Sequence, residues 1–159
     1  MKKAIMSIVF AVAVFAAGPV YASDAMKAIV GSYLGIQASL AGDKLDGVKP
    51  AALAIGEQAA RMGTAGEAIV KAAKAVEGAA DIKAARAAFG DLSDAVIAAG
   101  NAEGWKDVPD VRVAYCPMAK QSWLQKESGI RNPYYGKSML TCGEFKKKAQ
   151  GSGPVNKSQ

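Results

Sequence analysis

The residues in this sequence best suited to chemistry are four sulfur-bearing side chains in its C-terminal third. They form two short motifs, Cys116-Pro117-Met118 and Met139-Leu140-Thr141-Cys142. Thiolate and thioether sulfurs are polarizable ligands, which favour monovalent copper or silver over hard cations. Together the two motifs predict a two- to four-coordinate site for Cu(I) or Ag(I). Its candidate ligands are Cys116, Met118, Met139 and Cys142.

The segment between the two motifs is expected to bring them together. Residues 132–136 read Asn-Pro-Tyr-Tyr-Gly, a run typical of a turn, which would fold the second motif back onto the first. Trp123 lies in the same segment, where an indole face near a monovalent cation could add a weak cation–π contact.

Two gaps in the composition restrict the chemistry further. The chain has no histidine, so the commonest general base and the commonest metal ligand are both missing. It has two cysteines and no C-x-x-C-H motif, which excludes haem attachment, and zinc sites that depend on histidine are excluded as well. The carboxylates and lysines do not have a spacing that is typical of catalytic residues, so we predict neither an enzyme nor an organic cofactor.

The N-terminus has the layout of a secretory signal peptide. Lys2 and Lys3 precede a mainly apolar stretch, residues 4–17, which is shorter than the roughly 20 residues of a membrane-spanning helix. The residues before Ser23 suit a signal peptidase, so residues 1–22 are predicted to be removed and the protein to be periplasmic. The alternatives are a transmembrane anchor and a lipoprotein, which would need a cysteine at the cleavage point.

A structural disulfide is the competing interpretation of the two cysteines. Exported domains with two cysteines commonly contain one disulfide, and closing the loop from Cys116 to Cys142 would stabilise the fold by about 3 to 4 kcal/mol. The two methionines and Trp123 would then be ordinary core residues around the bridge. A redox-active thiol pair is a weaker third interpretation, because the cysteines are widely spaced and form no C-x-x-C motif.

Composition limits the size and the partners of the mature protein. Removing the signal leaves 137 of the 159 residues, enough for one domain, and lowers the net charge from +6 to +4. We expect the domain to span residues 23–148 and the polar tail, residues 149–159, to be disordered. Basic residues do not alternate with aromatic ones along one face, so nucleic acid is not an expected partner. No membrane span is expected after cleavage.

Apolar residues at three- and four-residue steps predict four helices between Asp24 and Gly100. The positions expected to be buried are Ile29, Tyr33, Ile36 and Leu40, then Leu53, Ala60 and Met62, then Ile69, Ala73 and Val76, and finally Ile82, Ala85, Phe89, Leu92, Val96 and Ala99. A capping box from Thr64 to Glu67 is expected to open the third helix. Gly100 is expected to end the fourth.

Four helices joined by short turns predict a mainly α fold, an antiparallel four-helix bundle. No titratable cluster lies on the apolar stripes, so the bundle is expected to be a scaffold. Arg86 and Asp91 on the fourth helix could form a buried pair, although a surface position suits them better. A C-terminal mixed segment is expected to follow and to contain a short strand over residues 111–115, a short helix, a turn and the Cys/Met motifs.

Two groups of residues resemble a known family. The C-terminal group is Tyr115-Cys116-Pro117-Met118-Ala119, Trp123, Ile130, Asn132-Pro133-Tyr134-Tyr135-Gly136, Met139-Leu140 and Cys142-Gly143, and the helical group is Asp81-Ile82, Ala85-Arg86, Phe89 and Leu92-Ser93. They are similar to a small periplasmic domain family that occurs alone and appended to adaptor (membrane fusion) proteins of Cus-type heavy-metal efflux pumps. The resemblance extends over residues 26–145.

The resemblance implies copper or silver handling, with the four sulfur residues as the matching ligands and a heavy-metal efflux adaptor or pump as a partner. The chain has no room for the lipoyl, hairpin and barrel domains of an adaptor, so it would be a free-standing accessory that binds, carries or senses metal. The alternative is a disulfide-stapled interaction module of the cell envelope without a metal role. Its candidate contact residues would be Trp105, Tyr134 and Tyr135.

Overall fold

The structure, a computed structural model, describes residues 19–105, 108, 110–126 and 128–146, with side chains from Asp24 onward. The helices are α1 (Pro19–Ala41), α2 (Val48–Ala60), α3 (Glu67–Glu77) and α4 (Ile82–Glu103). The strands are β1 (Arg112–Cys116), β2 (Gln121–Gln125) and β3 (Glu144–Phe145). Two short 3-10 helices span Gly63–Gly66 and Gly136–Met139. The chain is thus mainly helical with a small C-terminal sheet.

The last residues of the expected signal peptide, 19–22, belong to the first helix. The apolar stretch of the expected signal peptide and the expected disordered tail, residues 149–159, lie outside the described residues. The expected cleavage point before Ser23 falls inside α1, four residues after its first residue, Pro19. Most of α1 would therefore remain after cleavage.

The predicted apolar stripes of α1, α3 and α4 form most of the core. The fully buried residues among them are Ile29, Tyr33, Ile36 and Leu40 of α1, Ile69 and Val76 of α3, and Ala85, Phe89, Leu92 and Val96 of α4. The outermost positions of the α4 stripe, Ile82 and Ala99, are only partly buried and pack against this core. The helical period of apolar residues therefore predicts which faces turn inward.

The predicted face of α2 and the predicted start of α3 are wrong. Leu53 is 50% exposed, because α2 turns a different set inward, namely Val48, Ala52, Ile55 and Ala59. Thr64 lies within the 3-10 helix, and α3 begins only at Glu67 without a side-chain cap. A side chain at Gly66 would overlap the Ala59 carbonyl, so close packing of this turn on α2 decides the local conformation.

The predicted end of α4 is also wrong, and an aromatic contact explains the difference. The helix continues through Gly100 to Glu103, and Gly104, with φ 81°, ends it. The indole of Trp105 packs on Gly100 where a Cβ atom would overlap it, and its Nε1–H donates to Asn101 Oδ1 at 2.8 Å. Gly100 is therefore needed for close ring packing within the helix and does not end it.

The helices pack in sequence order, α1 on α2, α2 on α3 and α3 on α4, and α1 also contacts α4. Strand β2 lies against both α4 and α1. These contacts bury one apolar face of each helix, whereas the antiparallel bundle geometry stays a prediction. Within the described part of the chain, none of the helices has the length and apolarity that crossing a membrane requires.

The C-terminal segment forms an antiparallel sheet with the strand order β2-β1-β3. The predicted strand is confirmed as β1, shifted by one residue, but the sequence did not predict β2 or β3. The register places Ala114 of β1 between Trp123 of β2 and Phe145 of β3. The sheet thereby joins the two Cys/Met motifs, which lie at its β1–β2 turn and just before β3.

Two tyrosine hydroxyls cover the outer edge of β2. The Leu124 N–H donates to Tyr33 Oη at 3.2 Å, and the Tyr134 hydroxyl donates to the Ser122 carbonyl at 2.6 Å. Both hydroxyls also bond Ser93 Oγ of α4, at 2.6 and 3.2 Å. Burial raises the pKa of both phenols, so they stay protonated. Backbone groups that an edge strand would leave unpaired are thus satisfied, and the sheet is fixed to α1 and α4.

Candidate functional site

Cys116 and Cys142 converge at the end of β1. Cys116 is the last residue of β1 and fully buried, whereas Cys142 lies two residues before β3 and is half-buried. Pairing of β1 with β3 draws together two residues that are 26 positions apart in sequence. Their Sγ atoms lie 3.1 Å apart as free thiols. The second motif is therefore folded back onto the first, as the turn sequence suggested.

The pKa values of the two thiols are shifted in opposite directions. Burial alone would raise the pKa of Cys116, but hydrogen bonds to its sulfur outweigh burial and lower it. The donors are the Cys142 thiol, the backbone N–H groups of Ala119 and Met118, and the Asn132 side chain. The pKa of Cys142 is raised, chiefly by its hydrogen bond with Cys116. Of the two thiols, Cys116 is therefore the one that ionises more readily.

A fully buried asparagine holds the segment that carries Cys142. The Asn132 amide donates to the Cys142 carbonyl at 2.8 Å. Its Oδ1 accepts the N–H groups of Tyr134 at 2.8 Å and Tyr135 at 3.2 Å, and its own N–H donates to the Leu140 carbonyl at 2.7 Å. The sequence indicated Asn132 only as a turn residue. Its hydrogen bonds link the turn to the Cys142 segment, and the spacing of residues in the sequence does not reveal them.

The two candidate thioether ligands adjoin the thiols through their backbones. The backbone N–H of Met118 helps to lower the pKa of both cysteines, and the carbonyl of Met139 accepts the Cys142 N–H at 3.0 Å. The Met118 side chain is 62% exposed, and Met139 is half-buried at the end of its 3-10 helix. Met118 is therefore not the core residue that the disulfide interpretation expected.

An ion pair that the sequence did not predict anchors the turn to the helices. Arg86 of α4 contacts Asp43, just after α1, at 2.5 Å, whereas Asp91 is exposed. The guanidinium also donates to the carbonyls of Leu40 at 2.7 Å and Pro133 at 2.9 Å. One side chain thereby joins the end of α1, the second turn of α4 and the turn that precedes Cys142.

Gly136 allows the turn to approach this ion pair closely. The Asp43 carboxylate accepts the Lys137 N–H at 3.1 Å. The Arg86 guanidinium and this N–H hold the pKa of Asp43 below its usual range. Gly136 has φ 56°, and a Cβ atom there would overlap both Asp43 and Arg86. Its place in the Asn-Pro-Tyr-Tyr-Gly run is thus explained by backbone conformation and by packing.

Aromatic side chains fill the space behind the thiol pair. Trp123 is fully buried, and its Nε1–H donates to Gln125 Oε1 at 2.8 Å. Its indole occupies the place where a side chain at Gly143 would lie, and it meets Tyr134 edge-on with ring centroids 5.9 Å apart. The indole thus contacts the residue next to Cys142, and the cation–π contact with a metal ion stays a prediction.

Comparisons with protein-family models, with curated proteins and with solved structures find no match for this chain. The similarity to the domain family of Cus-type efflux adaptors therefore stays a prediction that depends on the C-terminal and helical motifs.

The arrangement of the two thiols permits two kinds of chemistry. As thiolates they could hold a soft ion between them, and as thiols they could lose two electrons and two protons to form a disulfide. Half-buried Cys142 and exposed Met118 form the solvent side of the site, and Cys116 lies buried beneath them. Thiol–disulfide catalysts present an accessible thiolate of low pKa. Here the thiol of lowered pKa is the buried Cys116, which argues against the catalytic thiol pair.

Proposed function

We propose that this protein is a periplasmic, non-enzymatic binder of Cu(I) or Ag(I), an accessory to heavy-metal efflux or homeostasis. The observation that carries the proposal is the convergence of the Cys116 and Cys142 sulfurs to 3.1 Å beside the exposed Met118. Soft sulfur ligands select such ions over hard cations. The signal-like N-terminus and the resemblance to an efflux-associated family support the compartment and the process.

Each of the four sulfur residues has a role in the proposed site. Cys116 and Cys142 are thiolate donors, and Met118 and Met139 are thioether donors. A metal–thiolate bond of about 2.3 Å, as in zinc sites, places two sulfurs on opposite sides of an ion up to ~4.6 Å apart. Cys116 is fixed in β1, so the thiols separate by rotation of the half-buried Cys142 side chain.

The rest of the fold serves as a scaffold for this site. The helices form an antiparallel bundle in this proposal, and β2 attaches the sheet to α1 and α4. Asn132 holds the Cys142 segment, and Arg86 holds the turn before it. Metal binding and disulfide formation exclude each other, because both use the same two sulfurs.

The proposal is tested by titrating anaerobically reduced protein with Cu(I) against a competing chelator. We expect two reactive thiols and one tightly bound Cu(I), with affinity lowered at least ~100-fold by Cys142→Ser. Met118→Ala and Met139→Ala are expected to lower it about 10-fold or more, as loss of a weaker ligand should. Met62→Ala, a methionine of the helical part, is the matched control. Failure of the reduced protein to compete for Cu(I) contradicts the proposal.

The second candidate function is a disulfide-stapled interaction module, which the same sulfur distance favours. A separation of 3.1 Å exceeds the disulfide bond length of about 2.05 Å by only ~1 Å. The three aromatic residues proposed as contacts are half-buried, and Tyr134 is bonded within the β2 edge. Tyr135 is therefore the remaining contact candidate beside the site. Absence of free thiols as isolated, with no Cu(I) binding after reduction, would select this candidate.

A further inference from the structure

The two sulfurs differ in access to solvent. The Cys116 side chain has no exposed surface, because it lies on the inner face of β1 within the hydrophobic core. Cys142 lies outside the strands, on the segment between the 3-10 helix and β3, and is half-buried. A thiol exchanges with an external disulfide only if the external sulfur can reach it. The structure therefore offers one thiol of the pair to an incoming disulfide.

We infer that Cys142 is a site of S-thiolation by low-molecular-weight disulfides such as glutathione disulfide, and that Cys116 then resolves the adduct to an internal disulfide. The order follows from the burial of Cys116 and the 3.1 Å between the sulfurs. The inference depends on the proposed function only for its consequence, which is that small disulfides switch metal binding off. Thiolation itself depends on the thiol pair alone.

The two steps balance in atoms and electrons. In the first, Cys142 Sγ loses its proton to solvent and attacks one sulfur of glutathione disulfide, forming a mixed disulfide and releasing one glutathione thiolate. In the second, Cys116 Sγ loses its proton to solvent and attacks Cys142 Sγ. The Cys116–Cys142 bond forms, the bond from Cys142 to glutathione breaks, and a second glutathione thiolate leaves. The pair loses two electrons and the external disulfide gains two, so no further oxidant is needed.

Neighbouring residues favour the second step over release of the adduct. Asn132 fixes the Cys142 carbonyl, and backbone bonds from Cys142 N–H to Met139 and from Asn132 N–H to Leu140 hold this segment beside β1. Cys116 therefore stays within reach of the Cys142 sulfur after thiolation. The adduct is expected to be short-lived while Cys116 is present and to accumulate when Cys116 is absent.

The order of attack is measured by peptide mapping of the wild-type protein. The reduced full chain is mixed with glutathione disulfide, quenched with acid at short times, alkylated and digested with trypsin. Cys116 and Cys142 fall in separate peptides, residues 113–120 and 138–146, because Arg112, Lys120, Lys137 and Lys146 precede or end them. We expect early glutathione on residues 138–146 to exceed that on residues 113–120 at least ~10-fold, since attack requires access.

Two variants examine each step separately. Cys116→Ser is expected to accumulate the glutathione adduct on Cys142, whereas Cys142→Ser is expected to react at least ~10-fold more slowly than wild type. Circular dichroism shows whether each variant is folded, and wild-type mapping decides the order if a variant is not. Early glutathione on residues 113–120, equal rates for the two variants, or neither adduct nor internal disulfide overturns the inference.

The outcome is separable from that of the proposed function. Ordered thiolation of a protein whose reduced form does not compete for Cu(I) contradicts metal binding and leaves the inference standing. Tight Cu(I) binding by a protein that is thiolated first at Cys116 supports metal binding and overturns the inference. If both hold, glutathione disulfide releases Cu(I) from the wild-type protein in parallel with loss of its two thiols.

Discussion

At the scale of single residues, Cys116 and Cys142 share a small volume but have different surroundings. One is buried at a strand end and receives several hydrogen bonds, and the other lies on a half-buried segment that Asn132 holds in place. A soft ion needs both sulfurs as thiolates, so binding releases protons and depends on pH. The raised pKa of Cys142 makes its proton the harder of the two to lose, so affinity for the ion is expected to rise with pH.

Asp43 gives a pH-dependent test of the contact between the turn and the helices. Its folded pKa is lowered, so its ion pair with Arg86 stabilises the fold above the ordinary carboxyl pKa of about 4 and less as pH falls through the folded value. Asp43→Asn is therefore expected to unfold at lower urea concentration than wild type at neutral pH. The difference should shrink towards zero at strongly acid pH.

The control for this variant is Asp91→Asn, which removes an exposed carboxylate of α4 and should change unfolding little. Asparagine also tolerates the left-handed conformation of Asp43, with φ 58°, so backbone strain is not introduced. A destabilisation of Asp43→Asn that is equal at neutral and acid pH would show that the ion pair is not its cause.

The residues that could be predicted from the sequence are those whose role depends on type and local spacing. The four sulfur residues were identified in this way, and the structure brings two of them, Cys116 and Cys142, together. Their role as metal ligands stays a prediction. Arg86 does not belong to this group, because its partner Asp43 is 43 positions away, and the nearer Asp91 was the only partner that helical spacing suggested. Asn132 was found as a turn residue, while its bonds to the Cys142 segment depend on the folded turn.

At the scale of elements, the sheet is held by side chains that replace a neighbouring strand. Tyr33 of α1 and Tyr134 of the turn bond outward-facing backbone groups of β2, and both meet Ser93 of α4. The stacked rings of Tyr33 and Phe89, with centroids 4.8 Å apart, place the hydroxyl at this edge. The position of the thiol pair therefore depends on helix–sheet contacts as well as on the sheet itself.

Tyr33→Phe tests this edge contact. The change keeps the ring but leaves the buried Leu124 N–H without its acceptor, which is expected to cost about 1–3 kcal/mol of unfolding free energy. Equilibrium urea unfolding measures the loss. Tyr115→Phe is the matched control, since this half-buried ring contacts Lys146 instead, and a change within ~0.5 kcal/mol is expected. A Tyr33→Phe protein as stable as wild type would contradict the structural role of the hydroxyl.

The sequence predicted an element well where the apolar pattern repeats over several helical turns. It failed where tertiary contacts decide which residues form the element. The stripes of α1 and α4 identified the buried faces, because several consecutive turns repeat them. The short β2 gives little alternation, since Trp123, Leu124 and Gln125 are all buried between sheet and helices. The sequence therefore indicated one strand of three, and it missed the pairing that brings the two motifs together.

At the scale of the whole molecule, most of the described chain is helical, and the proposed chemistry lies in a short C-terminal region. Among the α1 residues whose side chains are described, those that enter the core begin at Ala25, after the expected cleavage point. Removal of residues 1–22 therefore leaves every buried residue of the described core in place. The proposed mature protein would keep its fold in an oxidising compartment, where small disulfides and soft metal ions compete for the same sulfurs.

Export predicts a defined mature species. When the full chain is expressed in a Gram-negative host, intact-mass measurement of the periplasmic fraction is expected to give the mass of residues 23–159. Ala22→Arg, which places a bulky charge where signal peptidase needs a small residue, is expected to accumulate the uncleaved chain. An uncleaved wild-type chain in the cytoplasmic fraction would contradict the proposed compartment.

X-ray absorption at the copper edge, on anaerobically reduced protein loaded with one equivalent of Cu(I), identifies the atoms that hold the ion. We expect only sulfur neighbours, at about 2.3 Å as for other metal–thiolate bonds, with fewer sulfurs in Met118→Ala or Met139→Ala. A first shell of nitrogen or oxygen, or one unchanged by Cys142→Ser, would contradict a metal site formed by the two Cys/Met motifs.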